Sequence, residues 1–211
     1  ASGLRAIAML NETERQEGEW RYWRARLLEE GGEKREAERL YGELARERSY
    51  YGFMAADRTG RPYALQHVAV EPTPEEVGTL LANPGVAMAR ELFMIGDTVA
   101  ARRQWSWTIR MLSPRELAVA AVLAQQWGWH DRAIFTVNRS DHLDDLELRF
   151  PVLYRDLVEQ SAQQANIEPD WVYGVMRQES AFVTDARSSA GALGLMQLMP
   201  QTGRLHGRLI R

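Results

Sequence analysis

Apolar residues recur every three or four positions along most of residues 1–145, which is the spacing that places side chains on one face of an α-helix. The first clear case covers residues 19–30, whose apolar positions are Trp20, Trp23, Leu27 and Leu28. Two glycines end this segment, and a second amphipathic segment covers residues 33–46. Two amphipathic helices on either side of a two-glycine turn predict a helical hairpin.

An alanine–glycine–alanine pattern recurs in which the glycine follows the first alanine by seven positions and precedes the second by five. The three copies are Ala25, Gly32, Ala37, then Ala89, Gly96, Ala101, and then Ala121, Gly128, Ala133. The residues four positions after each last alanine are Tyr41, Trp105 and Val137. Such a glycine ends a helix in the left-handed conformation, and alanine lets two helices cross closely. We therefore expect stacked hairpins that form a solenoid-like superhelix, the alternative being three unrelated hairpins with the same turn chemistry.

Two short segments have the composition of helix starts. In residues 73–76 and 113–116, a threonine or serine precedes proline, and a glutamate occupies the third helical position. At Thr73 this predicts a capping threonine followed by acidic residues in the first turn. At Ser113 it predicts a capping box, in which the hydroxyl and Glu116 each bond to the other residue's backbone N–H. An acidic, polar stretch over residues 139–147 follows the last repeat. We place a domain boundary there and predict an all-α chain with domains at residues 1–145 and 146–211.

Composition excludes several classes of function. The 211 residues are 45% hydrophobic and 26% charged, as in soluble globular proteins, and the net charge of −3 gives no reason to expect a nucleic-acid partner. The chain has no cysteine, so disulfides, thiolate metal sites and cysteine nucleophiles are ruled out. The four histidines have no metal-binding spacing, and we expect no cofactor. The longest apolar run is too short to span a bilayer, and the N-terminus has no signal-peptide pattern, so we expect a fragment or a processed chain.

The candidate chemistry lies in residues 171–200. Glu179 follows Val175 by four positions and Met176 by three, so it lies on or beside the apolar face of a predicted helix. A carboxylate beside apolar side chains loses hydration and tends to keep its proton at neutral pH, as a general acid must. The alternative is an exposed glutamate near the end of an ordinary helix.

The polar groups downstream of Glu179 are few. Residues 185–191 read as a loop that carries Ser188, and residues 194–199 are predicted to begin another helix that carries Gln197. Met199 could flank the apolar face of a sugar, whereas Met196 is better explained as a core residue.

These residues together resemble a known family. The matching positions are Glu179, Ser180, Ser188, Gly191 and residues 194–200, with upstream matches at Phe150, Pro151, Tyr154, residues 171–175 and residues 50–58. They resemble the family 1 lytic transglycosylases, whose lysozyme-like SLT domain follows a ring of helical hairpins and a helical linker domain. The resemblance implies a helical-hairpin superhelix over residues 1–145, followed by the N-terminal part of a lysozyme-like domain over residues 146–211.

The resemblance also implies a reaction. Such enzymes cut the bond between N-acetylmuramic acid and N-acetylglucosamine in periplasmic peptidoglycan, and the muramic acid 6-hydroxyl attacks its own anomeric carbon to leave a 1,6-anhydro end. Glu179 matches the residue that acts first as acid and then as base, and Ser188, Gln197 and Met199 match substrate contacts. No cofactor is implied.

The family also has an alanine-tyrosine-asparagine-alanine-glycine motif that this sequence lacks, so we expect an incomplete site and negligible activity from this chain alone. Two alternatives stay open. The hairpins could serve as a scaffold that binds peptidoglycan or a cell-wall synthase without catalysis, and the same fold could carry a hydrolysing muramidase.

Overall fold

A computed structural model describes residues 2–206, and these residues are mainly helical, which confirms the predicted all-α class. The β-type pairing in this part of the chain is limited to two isolated bridges. The chain divides into two compact units, Ala1–Gln66 and His67–Arg211. The predicted domain boundary after residue 145 is a different division, and it stays a prediction.

The first unit contains α1 (Ser2–Ala8), α2 (Glu12–Gln16), α3 (Gly18–Glu30), α4 (Lys34–Leu44) and α5 (Tyr50–Thr59). Helices α3 and α4 form the predicted hairpin, and α5 packs on α4. Their buried core is rich in tyrosine and small residues, and the ring of Tyr22 lies 5.7 Å from the rings of both Tyr41 and Tyr51. Helix α4 buries its predicted face, whereas α3 buries Tyr22, Ala25 and Leu28, and Trp23 of its predicted face is 45% exposed.

The second unit begins with α6 (Pro74–Leu81), α7 (Pro84–Met94), α8 (Thr98–Thr108), a single 3₁₀ turn (Ile109–Met111), α9 (Pro114–Gln126) and α10 (His130–Val137). It continues with α11 (Leu146–Arg149), α12 (Arg155–Ala165), α13 (Pro169–Ser180) and α14 (Pro200–His206). The hairpins α7–α8 and α9–α10 share one buried core. At its centre the indole N–H of Trp105 donates to the hydroxyl of Thr136 at 2.8 Å, so the buried polar atom of this tryptophan is satisfied.

The three glycine turns of the repeat have one geometry. Gly32, Gly96 and Gly128 have φ angles of +90°, +85° and +77°. In each turn the N–H after the glycine donates to the carbonyl five residues earlier, with distances of 2.9 Å, 3.0 Å and 2.8 Å. This is the Schellman pattern of helix C-termini. No atom of the described residues lies within 4 Å of a Cβ placed on these glycines, so the backbone conformation, and not lack of space, requires glycine.

The alanines of the repeat mark the close crossings. All six are 0 or 1% exposed. The bulky residues that follow them are also buried: Tyr41, Trp105 and Val137. The repeat therefore combines a backbone requirement at the turn with a size requirement at the crossing, as the sequence pattern predicts.

The predicted capping box at Ser113 and Glu116 is present, and a second one, between Thr73 and Glu76, also joins two helices. At the start of α6, Glu76 accepts a hydrogen bond from the backbone N–H of Thr73 at 2.8 Å. The same carboxylate accepts two bonds from the guanidinium of Arg115 on α9, at 2.6 Å and 2.9 Å. The Arg115 bonds, together with the Thr73 cap, lower the pKa of Glu76 from its ordinary value of 4.5 to about 2.

This arrangement predicts an acid-dependent loss of stability. Because the folded-state pKa of Glu76 is depressed, its contribution is present above pH 4.5 and is lost as the pH falls towards 2. Carboxyl-carbon NMR should show Glu76 titrating near pH 2, and Arg115→Gln should move that titration towards 4.5. A wild-type midpoint above pH 4 would contradict the pairing.

Candidate active site

Helix α13 carries Glu179 on its last turn. Pro169 opens the helix, and the chain leaves it through Ala181, whose φ angle is +49°. The buried residues of the helix are Met176 and Ser180, whereas Glu179 is exposed. Of the two alternatives for Glu179, a site that dries the carboxylate and an exposed glutamate near the end of an ordinary helix, the described residues match the second. At helical spacing Glu179 lies beside Met176, about 60° round the helix. Val175 lines the same open surface, so the glutamate is next to an apolar side chain without being covered.

The exposed side of α13 forms an open concavity of about 510 Å³. Its lining residues are Asp170, Trp171, Gly174, Val175, Gln178 and Glu179. The indole of Trp171 is 75% exposed, which is unusual for so large an apolar ring. No described atom lies within 4 Å of a Cβ built on Gly174, so the surface beside this glycine is open. Every lining residue belongs to this one helix.

The segment after α13 folds back onto the end of this helix. The hydroxyl of Ser180 donates to the carbonyl of Leu195 at 2.9 Å, which fixes the 194–197 turn beside the residue that follows Glu179. Behind this contact, Met176 and Phe182 pack with Ile134 of α10 in a third buried cluster. Met196 packs against the same cluster, as predicted. The hairpin α9–α10 therefore supports the candidate site from behind.

The predicted helix over residues 194–199 is wrong. Leu193 and Leu198 pair in an antiparallel bridge, with hydrogen bonds in both directions at 3.0 Å and 3.1 Å. Gly194 and Gln197 have φ angles of +71° and +46°, which a right-handed helix does not allow. The next helix, α14, begins at Pro200. The apolar spacing of this segment serves packing in a tight turn.

Two of the three predicted substrate contacts also hold this loop together. The Ser188 hydroxyl accepts a bond from the backbone N–H of Ala192 at 3.0 Å. The Gln197 side-chain amide donates to the carbonyls of Gly194 at 2.9 Å and Ala186 at 3.3 Å. Met199 is 44% exposed. Ser188 and Gln197 therefore shape the loop, and their contact with a substrate stays a prediction, as does that of Met199.

An ion pair that the sequence does not indicate connects the hairpin helix α8 to the loop after Glu179. The guanidinium of Arg102 on α8 binds both carboxylate oxygens of Asp185, at 2.7 Å and 3.1 Å. The two residues are 83 positions apart, and no local pattern marks either of them. The exposure of the Trp171 ring is likewise not indicated by the sequence, although Trp171 lies within residues 171–200.

Residues 2–206 hold no cluster of three histidine, aspartate or glutamate side chains that could bind a metal ion. None of the helices described is both long and apolar enough to cross a membrane.

Two family models match the chain. Residues 79–146 match the soluble lytic murein transglycosylase L domain, and residues 156–210 match the transglycosylase SLT domain. The soluble lytic murein transglycosylase of Escherichia coli K12 is 34% identical over 197 residues, which are 93% of this chain and 30% of that protein. A putative soluble lytic murein transglycosylase of Haemophilus influenzae is 29% identical over 201 residues, covering 94% of this chain and 32% of the relative. The chain thus spans about a third of the length of these relatives.

Solved structures give the same result. A lytic transglycosylase Slt of Pseudomonas aeruginosa, solved as an inactive mutant, matches 98% of this chain and 34% of its own, with a TM-score of 0.89 and 35% identity. The 70-kDa soluble lytic transglycosylase of Escherichia coli matches 99% of this chain and 34% of its own, with a TM-score of 0.85 and 31% identity. Helical hairpins followed by lysozyme-like sequence are therefore the confirmed fold class. The chain belongs to the soluble lytic transglycosylases, an enzyme family, and contains L-domain and SLT-domain sequence.

Proposed function

We propose that this protein is part of an enzyme that cleaves peptidoglycan strands between N-acetylmuramic acid and N-acetylglucosamine and leaves a 1,6-anhydro end. Family membership supports the substrate class, because the relatives are named as murein transglycosylases. The periplasm, where such a substrate is found, is the location that we propose.

The arrangement of carboxylates on α13 is the observation that carries the proposal. Only two carboxylates, those of Asp170 and Glu179, line the concavity among the described residues. They are nine positions apart, so their backbone positions lie about 13 Å apart along the helix axis. Glycosidases that use two carboxylates hold them about 5 to 9.5 Å apart. A single carboxyl that does both proton transfers fits this geometry better than a pair.

One carboxyl can carry out both proton transfers. Protonated Glu179 gives its proton to the glycosidic oxygen while the bond from that oxygen to the anomeric carbon of the muramic acid breaks. The resulting carboxylate takes the proton of the muramic acid 6-hydroxyl while that oxygen bonds to the anomeric carbon. Water is not consumed, and the acid is regenerated.

Catalysis by Glu179 needs a drier site than the described residues provide. We infer that a second wall must cover the Trp171, Gln178 and Glu179 side of α13. In the related family, the SLT sequence that carries the alanine-tyrosine-asparagine-alanine-glycine motif is the natural source of that wall. A covered carboxyl would lose hydration and keep its proton, as a general acid requires.

The test compares two proteins on purified peptidoglycan sacculi. One is this 211-residue chain, and the other, called the extended protein, continues from the end of the alignment with the SLT sequence of the Escherichia coli relative. We expect muropeptide release from the extended protein and none from the chain alone, with circular dichroism confirming that both are folded. A folded extended protein that sediments with sacculi and releases nothing would favour a binding scaffold. Release by the chain alone would disprove the need for a second wall.

A further inference from the structure

Arg102 makes a second ion pair on the hairpin side, with Asp131 of α10. Its side chain is 27% exposed, and its Nε lies 3.5 Å from a carboxylate oxygen of Asp131 on α10. Asp131 is itself buried and also pairs with Arg132 at 3.1 Å. Arg102 therefore lies between two carboxylates, and the buried one attracts it without accepting a hydrogen bond from its Nε.

The second partner is Asp185, in the loop that follows Glu179. Both ends of the carboxylate are bound, which is the two-point geometry that distinguishes arginine from lysine. The Arg102 hydrogen bond is the main cause that lowers the pKa of Asp185, and the hydroxyl of Thr98 adds to it. The first turns of α8 therefore bind this loop through a charge that persists at neutral pH.

Ala186, the residue after Asp185, binds two other residues of the loop through its carbonyl group. The carbonyl of Ala186 accepts the backbone N–H of Gly194 at 2.9 Å and the side-chain amide of Gln197 at 3.3 Å. A fixed Asp185 thus fixes the acceptor that places Gly194 and Gln197. The contact runs from α8, through one ion pair and one carbonyl, to the turn that lies beside the end of α13.

We propose that Arg102 is a positioning residue of the active site, and that through Asp185 it sets the place of the Gln197 turn relative to Glu179. The hairpins would then contribute directly to catalysis, in addition to any role in holding the enzyme on its substrate. This inference rests on the proposed function, so its test has one measurement that needs no activity.

The first measurement is amide hydrogen exchange on the 211-residue chain. Arg102→Gln and Asp185→Asn should each speed exchange at Gly194 and Leu198 about fivefold, which is typical of the loss of one such ion pair. The double variant should be no faster than Arg102→Gln, because either substitution already removes the Arg102–Asp185 pair. Arg103→Ala is the matched control, since Arg103 lies on the same helix, is exposed and pairs with no described residue.

The second measurement is kinetic and uses the extended protein. Arg102→Gln should lower kcat about tenfold, because a small displacement of a catalytic constellation is costly, while KM stays at the value of Arg103→Ala. Unchanged exchange at Gly194 and Leu198, or equally faster exchange in α9 and α10, would overturn the inference, as would an unchanged kcat. An inactive wild-type extended protein would count against the proposed function, and the exchange result would still decide whether Arg102 positions the loop.

Discussion

Glu179→Gln in the extended protein should lower muropeptide release from sacculi by about 10² to 10⁴-fold, the usual contribution of a general acid. Glutamine keeps the shape of the side chain but can neither give a proton to the glycosidic oxygen nor take one from the 6-hydroxyl. Since Glu179 is exposed in the 211-residue chain and makes no hydrogen bond with its described residues, the substitution should leave the Tm of that chain unchanged. Initial rates of release, measured by chromatography of soluble products, give the ratio.

The matched control is Glu168→Gln, at the other end of α13. Glu168 is also exposed, and its side chain makes no capping bond, so the charge change is the same without loss of the candidate acid. Both variants should sediment with sacculi as the wild type does. Equal release from wild type and Glu179→Gln would remove Glu179 from the mechanism.

Gly52→Ala should destabilise the first unit by about 3 kcal/mol, in the upper range for overpacking. A Cβ on Gly52 would lie 2.1 Å from the carbonyl oxygen of Glu47 and 3.0 Å from that of Leu44. Both atoms belong to the backbone that links α4 to α5, so no side-chain rotation can relieve the clash. Gly52 therefore lets the start of α5 approach the end of α4.

Gly78→Ala is the same chemical change with the opposite expected sign. Gly78 lies inside α6, and no described atom is within 4 Å of its Cβ position. Alanine should therefore stabilise that helix by about 0.5 to 1 kcal/mol. Denaturant unfolding followed by circular dichroism measures both variants. A Gly52→Ala protein as stable as the wild type would show that the α4–α5 approach is looser than described.

The parts of the fold that the sequence predicts are those decided by neighbouring residues. The turn at Gly96 follows from a backbone conformation that glycine adopts at little cost, and the start of α6 follows from bonds between Thr73 and Glu76. The buried alanines follow from their register with those turns. Each of these signals lies within a few residues of the structure that it specifies.

The parts that could not be predicted depend on distant contacts. No local sequence pattern indicates that Arg102 and Asp185 pair with each other across 83 positions. The turn at Gly194 has the apolar spacing of a helix, and only the bridge between Leu193 and Leu198 shows otherwise. Helical periodicity places Glu179 near an apolar face, but it does not say what covers that face. The exposure of Glu179 is therefore a property of the tertiary structure.

The mass of the glycan ends that the extended protein releases from sacculi tests the central claim most directly. If Glu179 serves first as acid and then as base towards the 6-hydroxyl, the muramic acid ends will be 1,6-anhydro and one water lighter than hydrolysis products. Ends that carry the added water would instead identify a hydrolysing muramidase and contradict the single-carboxyl mechanism.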